Sequence, residues 1–184
     1  GPFSRTYTAM ATNALSNTLY LFGGNHNETH FNDLWHYDNG TWSQFTITGT
    51  LPTSRTLAAL TYVPSNNQLL LFGGQASDGT ILGDLWAFDL ASQQWTELDP
   101  GGGGGDPPAR LAHSLSYDPG LGQTVLVGGV ASDGFTLLSD TWHYDGTWLE
   151  ASPAITLPAT AYHQAIYDGD EIVVIADGEV WSYE

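Results

Sequence analysis

At 184 residues, with 41% hydrophobic and 12% aromatic side chains, the chain is long enough to bury a core and too apolar for native disorder. Three Arg and no Lys stand against twenty Asp and Glu, a formal net charge of −17. A field of that sign repels nucleic acid and anionic membrane, and it favours cations or basic partners.

Cysteine is absent, which removes disulfides, thiol nucleophiles and Cys-ligated zinc, and leaves the redox compartment open. No apolar run is long enough to span a membrane and no signal peptide is visible, so the sequence assigns no localisation. Gly1–Pro2 reads as a protease-cleavage scar. Asn27–Glu28–Thr29 and Asn39–Gly40–Thr41 are formal glycosylation triplets, at a frequency chance supplies in an Asn- and Thr-rich chain.

The chain repeats itself. SRTYTAMAT (4–12), SRTLAALTY (54–62), ARLAHSLSY (109–117) and ATAYHQAIY (159–167) align at offsets of 50, 55 and 50 residues. Each alternates small or apolar with polar residues, the period of a strand, here strand A. Strand B follows as LYLFGG (19–24), QLLLFGG (68–74), TVLVGG (124–129) and EIVVIADG (171–178), apolar runs expected to be covered on both faces. The paired glycines suit positive φ or close backbone approach; in the fourth unit they have decayed to Ala176–Asp177, with Gly178 shifted. Loops of roughly ten residues come next in three units, with Asp78–Gly79 and Asp133–Gly134 as turn residues. Strand C is DLWHYD (33–38), DLWAFD (84–89), DTWHYD (140–145) and EVWSYE (179–184), and strand D opens at Trp42, Trp95 and Trp148. No fourth strand D is present, and DPGGGGGDPP (99–108) reads as a surface loop between units two and three.

Four strands per unit, a Gly-Gly pair closing strand B, an aromatic-rich strand C, a Trp on strand D and the R-x-x-H of Arg110 and His113 resemble kelch repeats. The resemblance implies an all-β propeller with one blade per repeat, over 4–48, 54–99, 109–152 and 159–184, as a single domain across 1–184. Three four-stranded blades and a three-stranded last one make either a four-bladed ring or part of a larger ring completed by a second chain. In the second case a homodimer would close the ring, since an open strand edge invites pairing, or the chain is cut from a longer protein.

Seven Trp at repeat-equivalent positions are expected in the core between sheets. Arg5, Arg55 and Arg110 share one position at the start of strand A, with Thr160 as the fourth. They read either as structural partners of the strand C acids Asp33, Asp84 and Asp140, or as a collar for an acidic ligand, resembling kelch modules that bind acidic peptides. Asp78 and Asp133 join them as ligand-binding candidates at the loop tips.

His26, Glu28 and His30 alternate and, with His36, form a candidate transition-metal set. Glu28, Asn32 and His36 approximate the E-x-x-x-D-x-x-x-H iron motif of nitrile-specifier proteins, a kelch family, with Asn32 in place of the central carboxylate. No nucleophile with an assigned base and no phosphate-binding loop is evident, and a copper-radical centre would need the missing Cys. The expected role is a non-catalytic binding module for a protein or small molecule, with no cofactor, no nucleic acid and no membrane. A metal-dependent or glycan-active kelch enzyme and a minimal or engineered repeat scaffold without evolved activity are the alternatives.

Overall fold

The computed structural model describes residues 1–151 and 157–183. The expected end of the third blade at residue 152 and the last residue of the chain lie outside the described residues. Every regular element described is a strand.

The first sheet contains β1 (Ala9–Asn13) and β2 (Thr18–Phe22), a small hairpin of β3 (Asn25–His26) and β4 (Thr29–His30), then β5 (Leu34–Asp38) and β6 (Thr41–Gln44). Its order is β1-β2-β5-β6, with the hairpin apart. The second holds β7 (Arg55–Thr56), β8 (Ala59–Val63), β9 (Gln68–Ala76), β10 (Ile81–Asp89) and β11 (Gln94–Asp99); β7 and β8 both pair with β9. The third repeats this with β12 (Arg110–Leu111), β13 (Ser114–Asp118), β14 (Gln123–Ala131), β15 (Leu137–Tyr144) and β16 (Trp148–Glu150). The fourth is β17 (Gln164–Tyr167), β18 (Ile172–Ala176) and β19 (Glu179–Tyr183). All pairings are antiparallel, and the four sheets stand in a ring as the blades of a four-bladed β-propeller.

The seams between blades explain the apolar strand B. In β9, Leu69 and Leu71 pack toward the first blade with Phe22, Leu34, Trp86 and Phe88. Leu70 and Phe72 point the other way, into a cluster with Leu115, Leu126 and Trp142 of the third blade. One strand therefore feeds two seams, and alternation puts a large side chain in each. Val125 and Val127 do the same for the third seam, with Ile172, Val174 and Tyr183. Each fully buried side chain of this size contributes about 1.5–3 kcal/mol.

Two elements differ from the sequence expectation. Strand A is interrupted rather than continuous: Tyr7, Leu57, Ala112 and Tyr162 all adopt positive φ, between 54° and 59°. In blades two to four the kink turns the N–H away from its own sheet toward the preceding blade. Tyr162 donates to the Ala112 carbonyl (2.8 Å), Ala112 to Leu57 (2.9 Å) and Leu57 to Tyr7 (3.0 Å), a relay of backbone bonds from blade to blade. The expected loops after strand B are, in blades two and three, continuations of the strands themselves. Residues 76–81 and 131–137 close as tight turns, with Gly79 donating to Ala76 and Gly134 to Ala131.

The glycine pairs do what a side chain would prevent. Gly74 has φ +99°, and a Cβ there would meet the Thr56 carbonyl oxygen at 2.6 Å and Ala58 at 2.9 Å. Gly79 also has positive φ but faces open space. Gly74→Ala is expected to cost about 2–5 kcal/mol, backbone strain plus overlap, and Gly79→Ala only about 1–2 kcal/mol of strain. Equal denaturation midpoints for the two variants would refute the close-approach account.

Candidate functional site

The inner strands of all four blades surround one cavity of about 550 Å³, bordered by Thr8–Leu15, Ala58–Tyr62, His113–Tyr117 and His163–Tyr167. Its lining is mixed, with Thr12, Thr61, Ser116 and Gln164 among Ala, Leu and Met side chains. Concave sites on a rigid scaffold are the default places for ligands.

The three arginines are engaged inside their own blades. Arg55 donates through Nη1 and Nη2 to the two Asp84 carboxylate oxygens at 2.6 and 2.7 Å, through Nη1 to the Gly73 carbonyl at 3.0 Å, and through Nε to the Thr53 carbonyl at 3.0 Å. Arg110 repeats the set with Asp140, Gly128 and Pro108, and Arg5 with Asp33, Gly23 and Phe3. The indole N–H of Trp35, Trp86 and Trp142 donates to the same three carboxylates, each at 2.7 Å. Arg, Asp, Trp and a glycine carbonyl thus form one clamp, made three times. Burial alone would raise the Asp140 carboxyl; the bonds and charge of Arg110, with the Trp142 indole, outweigh it and hold the group below its ordinary value. The Arg55 and Arg110 side chains are wholly buried, so the guanidiniums do not form a collar open to the cavity mouth.

Two histidines border the cavity deep between blades. Nε2 of His163 is 2.8 Å from the Ser114 hydroxyl, a bond joining blades three and four that the separation of 49 residues hides from sequence reading. His113 lies edge-on to Phe72, with both ring nitrogens buried and unpartnered. Burial, then the charge of nearby Arg110 and of His163, pushes His113 down to about 3. It is neutral at physiological pH. Burial lowers His163 as well.

Asp78 and Asp133 stand at the exposed tips of the blade two and blade three hairpins. Asp78 accepts from the Thr80 N–H at 2.9 Å, which lowers its pKa. Asp133 accepts from the Thr136 hydroxyl and from the N–H groups of Thr136 and Phe135, which hold its carboxyl at about 2. Both are firmly ionised, and Phe135 beside Asp133 is one of the most exposed aromatics of the chain.

The candidate metal set is not brought together. Among the described residues no group of three or more His, Cys, Asp or Glu side chains could hold an ion. The reason is local: 25–30 closes as a hairpin with His26 opposite Thr29 and His30 opposite Asn25, which places Glu28 in the turn. His36 sits on β5, its ring 4.8 Å from that of Phe45.

The repeat pattern and the blades now bear on ancestry. The sequence matches the KLHDC2/KLHL20/DRC7 Kelch-repeats domain over residues 1–179. The chain belongs to the kelch-repeat family. Among known proteins, this kelch domain is similar to Acyl-CoA-binding domain-containing protein 5 of Arabidopsis thaliana, at 30% identity over 89% of the chain and 27% of that protein. It is 33% identical to Kelch domain-containing protein 2 of Bos taurus over 53% of the chain and 24% of the relative. With Kelch domain-containing protein 1 of Homo sapiens the identity is 38% over 46% of the chain and 21% of the relative. The matched stretch is thus about a quarter of the length of each relative.

Two outcomes follow from the kelch clamps and histidines. Asp84→Ala strands a buried guanidinium and is expected to cost about 3–5 kcal/mol in chemical denaturation. Arg55→Met combined with Asp84→Leu removes both charges and should cost clearly less; a double variant as unstable as the single would show that packing, not the unpaired charge, dominates. His113 has its folded pKa below its unfolded value, so the unfolded chain binds the extra proton. Its contribution is complete above about pH 6.5 and is lost as pH falls toward 3. Ala58 occupies the same place in blade two, so His113→Ala should fold and should flatten the drop in melting temperature between pH 6.5 and 4.5. An unchanged slope would assign that drop to other groups.

Proposed function

We propose that this kelch domain is a non-catalytic interaction module that takes a basic segment of a partner protein on its hairpin tips and cavity mouth. Kelch-repeat domains are in general protein-interaction modules, and the observation that carries the choice of partner is the clamp. The chain has no Lys, and its three Arg are the three held by Asp33, Asp84 and Asp140. Twenty acids less those three leave seventeen carboxylates with no strongly basic side chain to face them. An acidic ligand meets no free guanidinium, whereas a cationic one meets a field of a single sign. Asp78 and Asp133, already ionised by their turns, and the exposed Phe135 offer charge and an aromatic contact at adjacent blade tips.

Fluorescence polarisation with a labelled Arg-rich decapeptide and an oligoglutamate of the same length tests this. The basic peptide should bind, with affinity falling steadily as salt rises. Asp78→Asn with Asp133→Asn should weaken it about 2- to 10-fold, the range for two exposed ion pairs. Tighter binding of the oligoglutamate, or binding of the basic peptide indifferent to salt, would overturn the proposal.

A further inference from the structure

The cavity between the inner strands differs in chemistry from the rest of the molecule. The chain carries a net charge of −17, yet no Asp, Glu or Arg borders this space. Its two histidines are neutral at physiological pH, since burial lowers both. What borders it is uncharged but rich in hydrogen-bonding groups. β1, β8, β13 and β17 each pair with a neighbouring strand on one side only. An antiparallel edge strand turns the N–H and C=O of every second residue away from its partner, here toward the cavity. Thr61 and Ser116 hold one position in blades two and three; each is 8% exposed, and neither hydroxyl has a partner among the described residues. Tyr62, Tyr117 and Tyr167 hold the next position in blades two, three and four and border the space at one end, partly exposed.

We propose that the interior of this cavity binds a neutral polyhydroxylated molecule of the size of a sugar, at a site separate from the hairpin tips. A carboxylate or phosphate would enter against the negative field and meet no guanidinium, because all three arginines are held inside their blades. A cation is drawn to the exterior, but inside it would lose water with no carboxylate in contact to replace it. A purely apolar molecule would cover backbone N–H and C=O groups that need partners. A polyol avoids all three losses. Each of its hydroxyls both donates and accepts, so it suits backbone N–H, backbone C=O and the Thr61 and Ser116 hydroxyls alike. The C–H face of a sugar ring packs on the tyrosine rings and on the Ala and Leu side chains beside them. A volume of about 550 Å³ is that of an ordinary small-molecule site.

Saturation-transfer difference NMR on the full chain, with glucose, galactose, mannose, maltose, cellobiose and lactose as probes, tests this. At least one of these sugars should bind, with an affinity indifferent to salt, since no charge takes part. Glucosamine and glucuronate, the charged counterparts, and cyclohexanol, the apolar one, should bind less tightly than that sugar. Thr61→Val with Ser116→Ala nearly keeps the shape of the wall while removing both hydroxyls, and should weaken the sugar about 10-fold or more. Thr141→Val alters a buried hydroxyl away from the cavity and should leave the affinity as it is. Asp78→Asn with Asp133→Asn should leave it as it is too, so the cavity and the basic-segment site stand or fall separately. Near-ultraviolet circular dichroism checks that each variant folds, and the comparison of probes needs only the wild type. The proposal is overturned if none of the sugars binds or if a charged or apolar probe binds more tightly. It is overturned equally if the Thr61 and Ser116 substitutions leave the affinity unchanged, or if the Thr141 or Asp78 and Asp133 variants lose as much.

Discussion

The interaction on which the rest depends is the buried clamp of Arg, Asp and Trp. It links three strands of one blade: the entry to strand A through the arginine, the end of strand B through a glycine carbonyl, and the start of strand C through the aspartate and the indole two residues later. Such a charge pair is worth having in a core only when every donor and acceptor is satisfied. Here the guanidinium fills the carboxylate bidentately and places two further donors, one on Nη1 and the one on Nε, on backbone oxygens. The glycine it touches is the first of the pair, and the second, Gly74, lies against Thr56 and Ala58 of strand A. Clamp and close approach therefore fix the same corner of blades one, two and three, and the seams of Leu, Phe and Trp are built outward from it.

Using every arginine in this way has an electrostatic consequence. A chain with the same fold and a few surface lysines would have a patchwork exterior. This one has positive side-chain charge only where it is neutralised at contact distance, so its exterior is anionic by construction of the core. The three internal ion pairs take three aspartates out of the field and leave the remaining acids uncompensated, which is the ground for proposing a basic partner.

Much of the fold was legible because it was written several times. One LLLFGG would be ambiguous; aligned with LYLFGG and TVLVGG, and with Trp at matching places, it names a strand, its two covered faces and its turn. The pairing of Arg55 with Asp84 was legible in the same way, since both recur at a constant spacing. What escaped notice lacked a residue signature. The left-handed kink in strand A falls on Tyr7, Leu57, Ala112 and Tyr162, which share no side-chain property. The kink exists to aim an N–H at the preceding blade, a tertiary demand that local propensity does not encode. The hairpin arms of blades two and three looked like loops because Asp78–Gly79 and Asp133–Gly134 mark only the turn and the arms are partly polar. His26, Glu28, His30 and His36 alternated correctly, yet the hairpin turned two of them apart and β5 carried the last away.

The fourth blade shows what happens where the clamp is missing. Thr160 replaces the arginine, Glu179 replaces the aspartate and is exposed, and the second glycine of the pair is displaced to Gly178. The blade is nevertheless held, by a different set of polar bonds concentrated at its one sealed seam. His163 reaches Ser114, the Tyr183 hydroxyl is 2.7 Å from Nε2 of His143, and the Gly129 N–H donates to the Thr160 carbonyl at 2.8 Å. Each of these crosses to blade three; none braces blade four internally as the clamp does. A blade stabilised through its neighbour rather than through its own corner depends on what lies on either side of it. Its sealed face has Val125 and Val127, while its other face presents Ile166, Ile175 and Val180 to solvent. The asymmetry thus comes down to one blade that has exchanged internal bracing for dependence on its flanks, and among the described residues only the flank toward blade three is covered.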